Sequence, residues 1–344
     1  MSQSKRTDVE AERLEQLVAG FAGKRIVVLG DLVADEFIYG DISRISREAP
    51  VLVLEHRRTI SALGGGGNSV ANLHALGARP IPVGIVGRDE PGKRLIARLK
   101  DHRIPASGVL SVAGYPTPTK TRVLAGGIHT RRQQIVRIDH GAAPVEHPAP
   151  TRSRLRRALE TALRRADGLL VADYGYGAAS PRFVAPLRSR LDRLGLPLTV
   201  DSRTRVTEFG GVTACTPNQE EVEQALNLET LDTERSVVDA GRRLLRKTGD
   251  RAVLMTRGTR GMSLFERGKR PVHVPAYGSD EVADVTGAGD TVIAAFTLAL
   301  VAGATFGEAS RLANYAAGLV VTKAGTATVD ARELIGAIRE DRKR

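Results

Sequence analysis

Asp284-Val285-Thr286-Gly287-Ala288-Gly289-Asp290, followed without a break by TVIAAFTLALVAG (291–303), is the stretch on which the reading of this chain turns. Glycine and alanine at a loop-to-helix junction let backbone N–H groups approach an anion with no side chain in the way, and the start of the helix adds partial positive charge. A phosphoryl group gathering negative charge suits the cradle formed by Gly287, Ala288 and Gly289. Asp290, a carboxylate at the mouth of the same helix, can accept the proton of an attacking hydroxyl. The helix behind it is almost wholly small or apolar, so it is expected to be buried and to hold the site rigid. The plainer reading is a glycine-rich turn with Asp290 as a helix N-cap. Acids at both ends of the string and the apolar helix behind it favour the reactive one.

Outward from this string the chain alternates strand and helix. Arg25 to Leu29 is a short apolar run ending in Gly30-Asp31, the way a buried parallel strand delivers a carboxylate to the carboxyl edge of a sheet. IPVGIVG, GLLVAD, LPLTVD and AVLMTRG repeat the pattern, with helical stretches between most of them and a hairpin expected around GMSLFERGKRPVHVP. The expected fold is α/β, with a mainly parallel central sheet flanked by helices. Two pieces break the rhythm. Residues 37–59 and 117–139 interleave polar and apolar side chains, as solvated antiparallel strands do. They are expected to form a small β-sheet lid from about 35–60 and 115–139, on a single domain spanning 1–344. Residues 1–22 read as an amphipathic helical lead-in and 330–344 as a C-terminal helix with a basic tail.

Composition bounds the function. The 344 residues are 42% hydrophobic and 26% charged, ordinary for a globular protein, with no apolar run long enough to cross a membrane. One cysteine, Cys215, excludes an intrachain disulfide and a cysteine metal cluster, and seven scattered histidines show no ligand spacing. A cytoplasmic location fits. The net charge of +12 fits nucleic acid, an anionic small molecule or solvated basic faces. Much of it lies in helical stretches such as TRSRLRRALETALRRAD (151–167), and aromatic residues are only 4%, too few for base-stacking platforms. Neither a nucleic-acid nor a membrane partner is expected.

The 284–290 string resembles the D-x-x-G-A-G-D signature of the ribokinase-like (PfkB) carbohydrate kinases, and other blocks resemble that family in order over about 25–329. Thr216-Pro217-Asn218-Gln219-Glu220-Glu221 looks like its N-x-x-E motif, Thr256-Arg257-Gly258 its nucleotide-side strand end, and Asn314 lies in what looks like the helix lining the adenine pocket. The resemblance implies ATP and Mg²⁺ as cofactors. Asn218, Glu221, Thr256, Gly258 and Asn314 would then lie on the nucleotide side, Glu221 meeting the metal through water. Asp31, Asp35, Gly64, Gly65 and Asn68 resemble the sugar-binding face. Residues 43–50, 119–123 and 133–139 narrow the likeness to heptose-phosphate kinases, which implies transfer to the anomeric hydroxyl of a heptose 7-phosphate. It also implies a place in lipopolysaccharide biosynthesis. No second, nucleotidyltransferase-like region follows residue 330, so the kinase half alone is expected. Arg44, Lys120, Arg122 and Arg137, on the lid, could pair with a distal sugar phosphate. Such lids pair between subunits in the family, implying a homodimer. Another sugar kinase of the family and a catalytically weak paralogue that binds sugar phosphate or nucleotide as a regulator or scaffold are the competing readings.

Two departures stand out. The family's D-Y-x-K-G string is here Asp173-Tyr174-Gly175-Tyr176-Gly177, with tyrosine for the cationic lysine, and Gly126 to Thr130 looks like a hairpin insertion beside the lid. Gly87-Arg88-Asp89-Glu90-Pro91-Gly92-Lys93 nearly spells a P-loop, but Arg94 stands where a metal-binding Ser or Thr is needed. Gly87, Asp89 and Gly92 are expected to be structural.

Overall fold

A computed structural model describes residues 3–126, 132–141, 146–278 and 283–343. Most of the segment expected as a hairpin insertion, 127–130, lies outside the described residues. In chain order the strands are β1 (Arg25–Gly30), β2 (Leu32–Ile45), β3 (Leu52–Gly65), β4 (Arg79–Gly87), β5 (Val109–Val112), β6 (Thr119–Gly126) and β7 (Gln133–His140). They continue with β8 (Gly168–Asp173), β9 (Leu198–Ser202), β10 (Ala214–Cys215), β11 (Ala252–Thr256), β12 (Met262–Glu266) and β13 (Val272–Val274).

Nine of these form one sheet in the order β13-β12-β11-β10-β9-β8-β1-β4-β5. Pairing is parallel from β5 through β11, and the expected hairpin, β12 with β13, closes the far edge antiparallel. Side chains alternate across a strand, and both faces here are apolar because helices cover both. Ile26, Val28, Leu170 and Ala172 face a layer that includes the helices at 66–75, 288–301, 306–320 and 331–341. Val27, Leu29, Leu169 and Val171 face the helices at 149–163, 219–226 and 234–248. The basic helix Ala149–Leu163 buries Thr151, Leu155, Leu159 and Leu163 and turns its arginines outward, a solvated basic face.

The helix Ala288–Val301 is the structural centre of its layer. Asp290 through Ala299 are all buried, and each large side chain among them, such as Phe296, contributes roughly 1.5–3 kcal/mol of burial. Gly287, at φ 80°, turns the chain into it.

The lid is a four-stranded sheet, β3-β2-β6-β7. Each of the two pieces is an antiparallel pair, and a parallel β2–β6 contact joins them. Its strands start closer to the main sheet than the alternating pattern suggests. Residues 32–35 and 63–65 are buried on both faces, so their polar–apolar alternation is lost from the sequence there.

Candidate active site

In an open parallel sheet, ligands bind at the carboxyl ends of the strands, where neighbouring connections leave in opposite directions. Here that point lies between β1 and β8: the parallel strands run on through β4 and β5 on one side and through β9, β10 and β11 on the other. The polar residues that follow β1, β8 and β9 converge there.

Asp31, directly after β1, is 1% exposed. Its carboxylate accepts the backbone N–H groups of Tyr174 and Tyr176 at 2.9 Å, Ala178 at 2.8 Å and Ala179 at 3.5 Å. Four donors fill the acceptor capacity of a carboxylate. These bonds shape the loop after β8. Burial pushes its pKa up to about 6, with the charge of Asp173 adding and the N–H bonds opposing.

Asp290 is 3% exposed. Oδ1 accepts the hydroxyls of Tyr174 at 2.8 Å and Ser69 at 3.2 Å, and Oδ2 accepts Asn68 Nδ2 at 3.1 Å. Burial raises its pKa to about 7, the charge of Asp201 adding to the rise while the Tyr174 and Asn68 bonds hold it down. A carboxylate tuned near neutrality and buried at a helix mouth is suited to general-base work.

Asn68, also expected on the sugar, is 1% exposed. It is spent on Asp290, on Gly287 O at 3.3 Å and on accepting Asn72 Nδ2 at 3.1 Å. Gly287 must be glycine: besides its positive φ, a Cβ there would lie 2.3 Å from Asn68 Nδ2. Gly64 gives way to Asp35, whose Oδ2 would be 2.4 Å from an added Cβ, and Gly65, at φ 55°, turns β3 into the helix at 66–75. Asp35 pairs with Arg122 at 2.6 Å and accepts the Thr326 hydroxyl at 3.3 Å.

The lid cations divide. Lys120 and Arg122 are 6% and 9% exposed and face the edge of the main sheet. Lys120 makes no ion pair among the described residues, lies 5.3 Å from the centre of the Tyr174 ring, and burial lowers its pKa, with Arg203 adding. Arg137 sits opposite Arg122 in the register but is exposed and paired with Asp139 at 2.9 Å. Arg44 is exposed near the far end of β2, roughly 30 Å along the strand from Asp35. The structure does not bring it to the other three.

Three residues that motif reading did not select complete the site. Asp201, near the end of β9, accepts the Thr216 hydroxyl at 3.1 Å, and burial with the charge of Glu221 raises its pKa to about 7. LPLTVD has the same apolar-run-then-acid pattern as the Asp31 strand, so the signal was present. Arg203 lies 5.0 Å from the Tyr174 ring centre. Tyr174 itself gave no separate signal within its string.

On the nucleotide side, Asn218 and Glu221 form a capping box: Asn218 Oδ1 accepts Glu221 N at 2.8 Å, and Glu221 Oε2 accepts Asn218 N at 2.9 Å. This leaves Glu221 Oε1 free to face a solvated cation. Thr256 ends β11, Gly258 follows at φ 57°, and Asn314 Nδ2 donates to Pro275 O at 2.8 Å, tying its helix to the segment after β13. Among the described residues no cluster of three or more acids, histidines or cysteines could hold a metal unaided. Glu221 Oε1 is a hard oxygen donor, of the kind that Mg²⁺ takes beside phosphate and water ligands. Gly287–Gly289 fit a phosphoryl group: Ala288 N donates to Val285 O at 3.2 Å, but the N–H groups of Gly289 and Asp290 have no backbone acceptor among the described residues, and an added Cβ on Gly289 would meet nothing within 4 Å.

The near-P-loop is structural. Asp89 caps the helix Glu90–Asp101 through Gly92 N at 3.0 Å and clamps Thr117 through its N–H at 2.7 Å, while a Cβ on Gly87 would strike Tyr115 O at 2.2 Å.

Residues 24–332 match the family described as pfkB family carbohydrate kinase. The chain is 38% identical over 331 residues to a protein named Bifunctional protein HldE from Geobacter sulfurreducens, covering 96% of this chain and 66% of that one. It is also 38% identical over 323 residues to the protein of that name from Bradyrhizobium diazoefficiens, covering 93% and 64%. The chain thus spans about two thirds of the length of the curated relatives it matches. Among solved structures, ribokinase of Arabidopsis thaliana complexed with ribose and ATP superposes with a TM-score of 0.69 at 22% identity, covering 92% of this chain and 99% of that one. Phosphofructokinase-2 of Escherichia coli in complex with fructose-6-phosphate gives 0.71 at 18%, covering 94% and 100%. These two likenesses establish the fold.

Proposed function

The chain belongs to the pfkB family of carbohydrate kinases, and from that premise we propose that it transfers the γ-phosphoryl group of ATP to a hydroxyl of a phosphorylated sugar. The acceptor this reading favours is D-glycero-β-D-manno-heptose 7-phosphate, phosphorylated at its anomeric hydroxyl to the 1,7-bisphosphate. The observation that carries it is Asp290, a buried carboxylate held by three donors beside a glycine-lined helix start. The 38% identity to proteins named HldE and the heptose-kinase-like lid strings support the choice of sugar.

In this mechanism Asp290 takes the proton of the acceptor hydroxyl. The N–H groups of Gly287, Gly289 and Asp290 meet the charge that develops on the transferring group, while Ala288 N stays bonded to Val285 O. Magnesium ion, when bound with ATP, would neutralise phosphate charge, with Glu221 near it through water. Lys120, Arg122, Arg137 and Arg203 form the cationic side of the acceptor pocket, where a distal phosphate is recognised. Asp31 keeps the loop 174–179 in place, and Asp35, locked to Arg122, sets the lid's position over the sugar.

A second copy of the chain is the partner this reading expects. Ile42, Val136 and Ile138 lie on one lid face and are 41%, 46% and 46% exposed, a liability that lid-to-lid pairing would remove. Sedimentation should show a dimer that Val136→Ser with Ile138→Ser dissociates; a wild-type monomer would sink this point. ATP use also puts the protein in the cytoplasm, which cell fractionation would check.

Mg·ATP turnover against a panel of sugars and sugar phosphates, including both anomers of heptose 7-phosphate, tests the whole proposal. Preference for the β-heptose 7-phosphate supports it. Preference for another acceptor would keep the kinase and discard the sugar. ATP binding without turnover of any acceptor would point to a regulator.

A further inference from the structure

Resting on the kinase reading, we propose that Tyr174 is the positioning residue for the catalytic base: its hydroxyl saturates Asp290 Oδ1 together with Ser69, so that Oδ2 is the atom left to take the acceptor's proton. Oδ1 already accepts two hydroxyls, from Tyr174 at 2.8 Å and Ser69 at 3.2 Å. Among the described residues, Oδ2 accepts only Asn68 Nδ2, at 3.1 Å. A carboxylate oxygen has two lone pairs, so one site on Oδ2 stays open, next to the glycine cradle.

The phenol is held from every side. Its backbone N–H is bound to Asp31 at 2.9 Å. The preceding residue, Asp173, is 2% exposed, accepts Ser202 Oγ at 2.6 Å and is paired with Arg205. Gly175, at φ 85°, turns the chain immediately afterwards. An added Cβ on Gly65 would lie 3.4 Å from Tyr174 Cδ2, so the glycine leaves room for the ring. Lys120 from β6 and Arg203 after β9 sit 5.3 and 5.0 Å from the ring centre. Burial drives the phenol's pKa far up, so the hydroxyl stays protonated and can only donate to the carboxylate.

Asp290 thus stands between opposing groups. Asp201 from β9 and Asp35 from the lid disfavour its ionised form, although Arg122 neutralises Asp35 in part. Tyr174, from the loop after β8, and Asn68, from the helix at 66–75, favour that form. The Tyr174 bond is the shortest of the three to Asp290 and the one whose ring touches a lid cation, so it connects the lid to the base. Replacing it with phenylalanine removes one hydroxyl and leaves the ring and its cations in place.

The test is the pH profile of kcat/KM in Tyr174→Phe. The expected result is a loss of about tenfold or more at pH 7, an acidic limb displaced upward by about one unit, and partial recovery near pH 9. The KM for ATP should not move. Incorporating 3-fluorotyrosine at 174, a more acidic donor, should move the limb the other way, and this covers the case in which the phenylalanine variant folds poorly. A uniform loss with no displacement of the limb in either variant would overturn the proposal. The infrared band of the Asp290 carboxylate, assigned with Asp290→Asn, gives a readout that needs no acceptor. In Tyr174→Phe its midpoint should rise by about one unit. An unshifted midpoint would overturn the hold on Asp290 whatever the rates, whereas a wild-type enzyme without turnover would overturn the kinase reading alone.

Discussion

The carboxyl edge of the main sheet and the β-lid both carry candidate residues, to very different effect. At the edge, Asp31 and Asp290 are nearly inaccessible, and their oxygens are met by named donors within 3.5 Å. Of the four lid cations, only Lys120 and Arg122 are buried; Arg137 is occupied by its neighbour Asp139, and Arg44 lies exposed near the far tip. The edge is preorganised by the fold itself, with no reorganisation left for the reaction. The lid holds charge in readiness for something not part of the chain, an anionic substrate or a second subunit. Function at the edge should therefore be coupled to stability, and function on the lid should not.

Breaking the edge should cost most. Asp31→Ala would orphan up to four buried N–H groups, a loss of ~3 kcal/mol or more in urea unfolding. A loss below ~1 kcal/mol would mean water replaces the carboxylate and the edge is not preorganised as described. Arg122→Ala, at the junction of edge and lid, leaves Asp35 unpaired. It should raise the acceptor KM by roughly 10- to 100-fold with a smaller change in kcat.

Acid sensitivity separates the regions more finely. Asp290 and Asp31 have folded pKa values of about 7 and about 6, above their usual range, so the folded protein holds protons that the unfolded chain releases. Their contribution to stability is therefore favourable at acid pH and is lost as pH rises through about 4 to 7. Asp290→Asn should melt ~2–4 °C above wild type at pH 8, with the difference vanishing toward pH 4. A variant less stable at pH 8 would contradict the burial assigned to this carboxylate. Arg44→Ala should do least, changing acceptor KM by less than about twofold in dilute enzyme, as exposed charges do. A large effect would mean that this arginine reaches a site through a partner's lid.

The same contrast explains what could be read in the sequence. The parallel sheet, its closing hairpin and the buried helix after Asp290 follow from short-range patterns: apolar runs, glycines and an acid at each turn. Such patterns say which residue types stand at the edge, not which of them are already satisfied. Asp31 and Asn68 have the right place, yet all but the Asn72 bond among their side-chain hydrogen bonds are spent on residues 143 to 222 positions away, a fact no local pattern contains. Asp201 could have been found from its strand, but Tyr174 matters only because β8 and the 288–301 helix meet in three dimensions. On the lid, the alternating pattern marked the exposed parts of the strands and lost the buried ends. Arg44 was grouped with Lys120 by charge, although a 14-residue strand carries it far from the edge.

The most direct measurement is the rate of Mg·ATP-dependent phosphorylation of the preferred sugar phosphate by wild type and by Asp290→Asn, alongside ATP affinity and melting temperature. Turnover should fall by roughly two or more decades, with ATP binding and the fold intact. Near-normal turnover in the variant would contradict the assignment of Asp290 as the base.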